Sequence, residues 1–290
     1  MMSIRYLIVF SIWLTGCAPY KLIDVPSENL NSRIDYIVLH ATSQNFDESL
    51  NTLTKQSDYP VSSHYLIPHL DDESYDRNDL AVYRLVPEGG RAWHAGKSNW
   101  GDEVSLNDRS IGIEIVNEFS CTEHADITNT PTIDFLECQF LPYPKNQIAL
   151  LIVLLQDILA RHPEINPIDI VSHADIAPER KSDPGPYFPW HELYDAGIGA
   201  WYDEEDFEKH MKIFAFQLPE IPVIQQALSV LGYSVEETGE FDEQTRYALR
   251  AMQLHYRSTN YKGELDVESV AILFSLIEKY RVLEIDDLIN

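Results

Sequence analysis

Ser110-Ile111-Gly112-Ile113-Glu114-Ile115-Val116-Asn117 (SIGIEIVN, 110–117) is the stretch on which the reading of this 290-residue chain turns. Its apolar side chains alternate: Ile111, Ile113 and Ile115 share one face, while Gly112, Glu114 and Val116 take the other, which is the period of a strand. Three isoleucines in register call for a covered sheet. Glu114 is the anomaly, because a carboxylate among hydrocarbon is costly unless the face it occupies is a cleft. A solvated sheet face is the other reading, and the pattern alone leaves both open.

Working outward, Asp35 to His40 reads as a buried strand, with further strands at Ser63–Pro68 and Val82–Val86. Ile168–His173 is another strand that ends in a histidine. Between them Ile148, Leu151, Ile152, Leu155, Ile158 and Leu159 fall at helical spacing, and Pro144 suits the first turn. Gln156 and Asp157 interrupt the apolar run, so this is a core helix and not a membrane span. Strands separated by helices predict an α/β domain over 31–200. An acidic linker is expected at 201–217. Beyond it, at 218–290, Val223 to Leu231, the stretch DEQTRYALRAMQLHY and Val267 to Tyr280 predict a small three-helix bundle.

The chain carries 21 Lys and Arg against 47 Asp and Glu, a formal charge of −26. A surface of that sign repels nucleic acid and anionic head groups, so neither is an expected partner. Arg5 followed by the apolar run Tyr6–Leu14 has the form of a secretory signal, too short to span a bilayer, which needs about 20 residues. Leu14-Thr15-Gly16-Cys17 closes it and resembles a bacterial lipobox. The resemblance implies a signal peptide at 1–16, lipid on Cys17 and a lipidated tether at 17–30. Ala18 after the cysteine then implies the outer membrane, with the protein facing the periplasm. The remaining cysteines, Cys121 and Cys138, lie in one polar segment, 119–140, without clear helical or strand period. In an oxidising compartment they could pair across it, for about 3 kcal/mol, or remain free thiols.

Ten histidines offer many triples, so composition alone defines no metal site. Position narrows the choice, since His40 and His173 each end a strongly apolar strand and Asp183 follows ten residues after His173. Two imidazoles and a carboxylate would leave a tetrahedral Zn2+ with one open position, one ion per chain. Lys181 could set a cation beside it, or be a plain surface lysine.

The segments YIVLHAT (36–42), SSHYLI (62–67), RAWHAG (91–96), SIGIEIVN (110–117) and VSHADIAPERKSDPGPYFPW (171–190) together resemble the type-2 N-acetylmuramoyl-L-alanine amidases. That family is related in fold to phage T7 lysozyme and to the animal peptidoglycan-recognition proteins. With the lipobox and the C-terminal helices, the chain is most similar to the family's lipoprotein branch in enteric bacteria. The resemblance implies an α/β fold with a mixed central sheet flanked by helices. It implies zinc on His40, His173 and Asp183, and catalytic roles for Glu114 and Lys181. His64 and His94 match family positions that line the groove and are expected to touch substrate; Trp93 and Asn107 are further cleft candidates. The implied partners are peptidoglycan and its muropeptides, and the expected assembly is a monomer. The segment 119–140 is longer than the family leads one to expect, and an insertion there could cover the cleft and alter substrate choice. Leu231-Gly232-Tyr233, Gly239-Glu240-Phe241 and Thr245 to Ala248 resemble a helical peptidoglycan-binding module. Other classes of function consistent with the same residues are a non-catalytic wall-recognition lipoprotein and a purely structural link between membrane and wall.

Overall fold

The alternating isoleucines lie at the centre of a sheet. The computed structural model describes residues 32–123 and 136–281, with positions 23, 25 and 29. The signal segment, Cys17 with nearly all of the tether, and the middle of 119–140 lie outside the described residues. The chain divides into two units, Met1–Asn31 and Ser32–Asn290, and every element below belongs to the second.

In chain order its first half holds β1 (Tyr36–Ala41), α1 (Phe46–Thr54), β2 (Tyr65–Ile67), β3 (Tyr83–Arg84), β4 (Asn99–Trp100), β5 (Glu103–Val104) and β6 (Ser110–Ile115). Next come β7 (Ser120–Glu123), β8 (Leu136–Gln139), α2 (Lys145–Arg161), β9 (Ile170–Ser172), α3 (His173–Ile176) and α4 (Trp190–Asp195). Four helices follow: α5 (Glu204–Phe214), α6 (Ile221–Leu231), α7 (Glu243–Tyr256) and α8 (Val267–Tyr280). The main sheet has the order β3-β2-β6-β1-β9. Its four pairings are mixed in direction: β1 runs parallel to β6 and β9, β2 parallel to β6, and only β3 antiparallel. This is the mixed central sheet that the family resemblance implies.

Register assigns each residue to a face. Ile37 pairs with Ile111 and Leu39 with Ile113, so these four share a side with Ile115 and bury against Ile148, Leu151, Leu155 and Ile158 of α2. Truncating one such isoleucine to alanine costs about 2–5 kcal/mol, a large share of a domain's net stability. Gln147 pins α2 in place, its Nε2 donating to the carbonyls of Val116 and Ile67 at 2.9 and 3.3 Å. Val38, Gly112 and Val171 occupy the opposite face.

On that face the core continues into the C-terminal helices. One apolar cluster runs from Val38 and Val171 through Trp100 and Ala174 to Leu228, Met252 and Phe274. Among the described residues, no break in the packing sets 218–281 apart. Gly232, at φ +144°, allows a close approach: a Cβ there would lie 2.6 Å from the Trp100 ring, and its carbonyl accepts from Gly101 N at 2.8 Å.

Two stretches differ from expectation. The segment expected as an acidic linker contains α5. Glu204, Glu205 and Asp206 sit in its first turn, where negative charge suits the helix dipole, and Phe207, His210, Met211 and Phe214 recur at helical spacing. The segment read as lacking a period carries the antiparallel pair β7–β8, in which Cys121 faces Cys138 and the two form a disulfide. Its Ser, Thr, Glu and Gln residues give no apolar alternation to read.

Glu88 ties the 87–90 turn to the sheet and to the end of α2. It accepts from Tyr65 Oη at 2.6 Å, Arg161 Nη2 at 2.5 Å and His162 Nε2 at 2.8 Å. Burial alone would raise its carboxyl, but the donors, Arg161 first, hold it at about 2, against an ordinary 4.5. A carboxyl depressed on folding contributes stability fully above its unfolded value and loses it as pH falls through the folded one. Glu88→Gln should therefore flatten the fall in unfolding free energy between pH 4.5 and 2, measured by urea melts. Superimposable pH profiles for the two proteins would contradict this role.

Candidate metal centre

Parallel strands deliver their carboxyl ends to one edge of a sheet, where ligand sites form. His40 pairs across strands with Glu114, and Leu39 with Ser172, so extending that register by one residue sets His173 beside His40. The loop after α3 folds back, with Ala174 N donating to the Asp183 carbonyl at 3.0 Å. Tyr143 Oη steadies the same loop by donating to the Pro184 carbonyl at 2.8 Å.

The result is a tight triangle. His40 Nδ1 lies 3.0 Å from His173 Nδ1 and 3.5 Å from Asp183 Oδ2, while His173 Nδ1 lies 3.1 Å from that oxygen. Ligand atoms around a tetrahedral ion with bonds of about 2.0–2.2 Å stand about 3.3–3.6 Å apart, so the triangle has nearly the dimensions of a coordination face. All three residues are buried, at 1%, 5% and 6% exposure. Among the described residues they are the group able to hold a metal ion.

The surrounding hydrogen bonds set the tautomers. Ser110 Oγ donates to the Leu106 carbonyl at 2.6 Å, so it accepts from His94 Nε2 at 3.2 Å. His94 Nδ1 is then bare and accepts from His40 Nε2–H at 2.9 Å, which leaves the His40 Nδ1 lone pair facing the triangle. Burial, reinforced by the neighbouring histidines, holds His94 well below its ordinary value, so the ring stays neutral as this relay requires. His173 is likewise lowered to about 4 by burial, with His40 adding to the effect against the pull of Asp183. For Asp183 burial acts upward, but the imidazoles of His173 and His40 outweigh it and hold the carboxyl well below the usual range. A neutral His173 imidazole and an Asp183 carboxylate are the protonation states a cation needs.

A cavity of about 560 Å³ opens beside the triangle, lined by Glu114, His173, Asp183 and Lys181. Burial raises the Glu114 carboxyl; His40 pulls it back, Asp183 adds to the rise and Lys181 opposes it. Of the residues expected to touch substrate, Trp93, 49% exposed, and His94 line this cavity. His64 and Asn107 are not among its lining residues. His64 is fully buried, its Nδ1 accepting from Gly112 N at 3.0 Å and its Nε2 facing the Gly90 carbonyl at 3.3 Å, so both nitrogens are spent on backbone. Asn107 Oδ1 accepts from His94 N and Ala95 N, at 3.0 and 2.8 Å, and so shapes the loop that carries His94.

The wall includes further residues not singled out from the sequence, although the segment 119–140 was expected at the cleft. Phe119, Ser120 and Cys121 line the cavity, which puts the disulfide in its wall. Arg180 lines it too, while its guanidinium clamps the Ala95 and Lys97 carbonyls. The adjacent cationic pair Arg180-Lys181 was the available signal.

Sheet and site together define an α/β protein with a His-His-Asp group able to hold a metal ion and a neighbouring carboxylate at the carboxyl edge of its strands. The chain belongs to the N-acetylmuramoyl-L-alanine amidase family, whose model matches residues 30–186. A second model, "Putative peptidoglycan binding domain", matches 217–273. The N-acetylmuramoyl-L-alanine amidase AmiD of Escherichia coli is 38% identical over 289 residues, spanning 95% of this chain and 97% of that protein. AmpDh3 from Pseudomonas aeruginosa, also solved in complex with anhydromuramic pentapeptide, aligns with a TM-score of 0.79 at 38% identity, over 94% of this chain and 100% of that one. Escherichia coli AmiD, solved with its substrate anhydro-N-acetylmuramic acid-L-Ala-D-γ-Glu-L-Lys, aligns at 0.70 and 39%, over 88% and 93%. The family resemblance read from the five segments is borne out.

Gly112 lies under the His94 ring, where an added Cβ would come within 2.4 Å. Gly112→Ala should displace His94, release His40 Nε2 and weaken divalent-metal binding about 10–100-fold, by chelator competition on protein that keeps its circular-dichroism spectrum. Unchanged affinity would contradict the His94–His40 relay.

Proposed function

We propose that the chain hydrolyses the amide bond between N-acetylmuramic acid and L-alanine in peptidoglycan and its muropeptides, with one zinc ion held by His40, His173 and Asp183. The observation that carries this is Glu114, a carboxyl raised by burial and set in the cleft beside three complete ligands. Bound there, zinc would lower the pKa of water to near 7 and polarise the scissile carbonyl.

The chain's own groups do the rest. Glu114 accepts a proton from the attacking water and returns it to the departing alanine amine. Lys181, on the same cavity wall, offers its ammonium to the oxygen on which negative charge develops. Trp93 presents an exposed ring to the sugar or stem peptide. The anhydromuropeptides bound to the two solved relatives support substrates of that class. A non-catalytic recognition role is disfavoured, because such a role needs no complete ligand set beside a general base.

The lipobox supports a lipid anchor on Cys17 in the outer membrane, with a periplasmic amidase acting as a monomer in wall turnover or recycling. The Cys121–Cys138 disulfide suits that oxidising compartment. The C-terminal helices would add affinity for the polymer and raise local substrate concentration.

Zinc-loaded protein should release stem peptides that begin with L-alanine. Glu114→Gln should lower kcat about 10²–10⁴-fold while zinc content holds, by mass spectrometry of a defined anhydromuropeptide. Intact substrate after incubation with the zinc-loaded wild type would end the reading. Cys17→Ser should move the protein from the membrane fraction to the soluble periplasm; an unchanged distribution would refute the anchor.

A further inference from the structure

Two of the three metal ligands stand on segments that the C-terminal helices hold by hydrogen bonds. His173 opens α3, a helix of only four residues, which has little intrinsic stability. Its backbone is fixed by a capping box in which Ser172 Oγ accepts from Asp175 N and Asp175 Oδ2 accepts from Ser172 N. Asp175, itself 1% exposed, is in turn gripped from the other half of the molecule. Tyr233 Oη donates to its Oδ1 at 2.6 Å, and His255 Nδ1 donates to its Oδ2 at 2.7 Å. The His255 ring is locked between Trp190 at 3.7 Å and Tyr256 at 4.0 Å. The second ligand is served separately: Arg250 Nη1, on α7, donates at 3.0 Å to the hydroxyl of Ser182, the residue before Asp183.

Packing alone does not require these groups. The apolar cluster that joins the halves already includes Trp100, Tyr233, Ala174 and Met252. Burying a carboxylate, an imidazole and a guanidinium at such an interface carries a desolvation cost that hydrocarbon would avoid. What polar groups add is direction. Here that direction is given to the segments bearing His173 and Asp183, whereas His40 is fixed by the sheet and by His94. Tyr233 belongs to the Leu231-Gly232-Tyr233 turn of the module, so a signature residue of a wall-binding fold here faces the catalytic half.

We infer that the C-terminal helices are a structural part of the metal centre: Tyr233, His255 and Arg250 are positioning residues that aim His173 and Asp183. The inference rests on the metal-dependent reading above. It assigns the module a task that operates even on a small soluble muropeptide, where tethering to polymer gives no advantage.

The test uses the full chain with three variants, Tyr233→Phe, Arg250→Leu and Arg250→Lys. Cobalt(II) absorption reports ligand geometry, chelator competition reports zinc affinity, and kcat and KM are taken on a soluble anhydromuropeptide. Tyr233→Phe and Arg250→Leu should each weaken zinc binding about tenfold or more, change the cobalt spectrum and lower kcat more than they raise KM. Arg250→Lys, which can still donate to Ser182, should recover most of the loss. Should either disruptive variant fail to fold, Ser182→Ala removes the Arg250 contact from the other side and should give the same spectral change. Folded variants with wild-type zinc affinity and cobalt spectrum overturn the inference, even if polymer digestion slows. Wild-type protein that binds neither cobalt nor zinc overturns the metal reading itself, and this inference with it.

Discussion

Two imidazole nitrogens and a carboxylate oxygen held within 3.5 Å of one another, out of water, are the constraint around which this structure is organised. With the tautomer that the Ser110–His94–His40 relay enforces, the lone pair of His40 Nδ1 faces the other two groups. Such a cluster is unfavourable unless a cation neutralises it, which makes it a strong indication of a ligand set. Holding it together falls to the scaffold. Parallel register sets His40, Glu114 and the position of His173 side by side, Gly112 leaves room for the His94 ring, and the capping box fixes the turn after β9.

The same sheet serves two cores. One face buries Ile111, Ile113 and Ile115 under α2, while the other is shared between the polar cleft and the apolar cluster reaching the C-terminal helices. The site therefore sits where packing changes from hydrocarbon to polar groups. This reconciles Glu114 with its strand: the carboxylate occupies the end of a face whose inner positions, Gly112 and Val38, are buried. The chain's −26 charge does not decide the local field, since Lys181 and Arg180 line this cavity.

How far the site could be read from sequence follows from the range of the forces involved. Strand period and the histidines ending apolar runs are local, so β1, β6, β9 and the ligand residues were legible. Cross-strand register is not local, and nothing in the sequence set His40 opposite Glu114. His64 was expected in the cleft because it lies in a matching segment, and Asn107 as a further candidate outside those segments, but their side chains turn to backbone partners contributed by distant residues. The acidic run before Phe207 looked like a linker because its charges were weighed without the helix dipole they complement. β7–β8 was invisible to a pattern search, its pairing resting on a disulfide and backbone hydrogen bonds and not on apolar alternation.

The most direct test of the central claim is a crystal structure of the zinc-loaded protein with diffraction recorded on both sides of the zinc absorption edge. The account predicts one strong anomalous peak, bonded to His40 Nδ1, His173 Nδ1 and an Asp183 oxygen, with Glu114 facing the open coordination position. A peak elsewhere, or a centre in which Asp183 or either imidazole turns away from the ion, would contradict it.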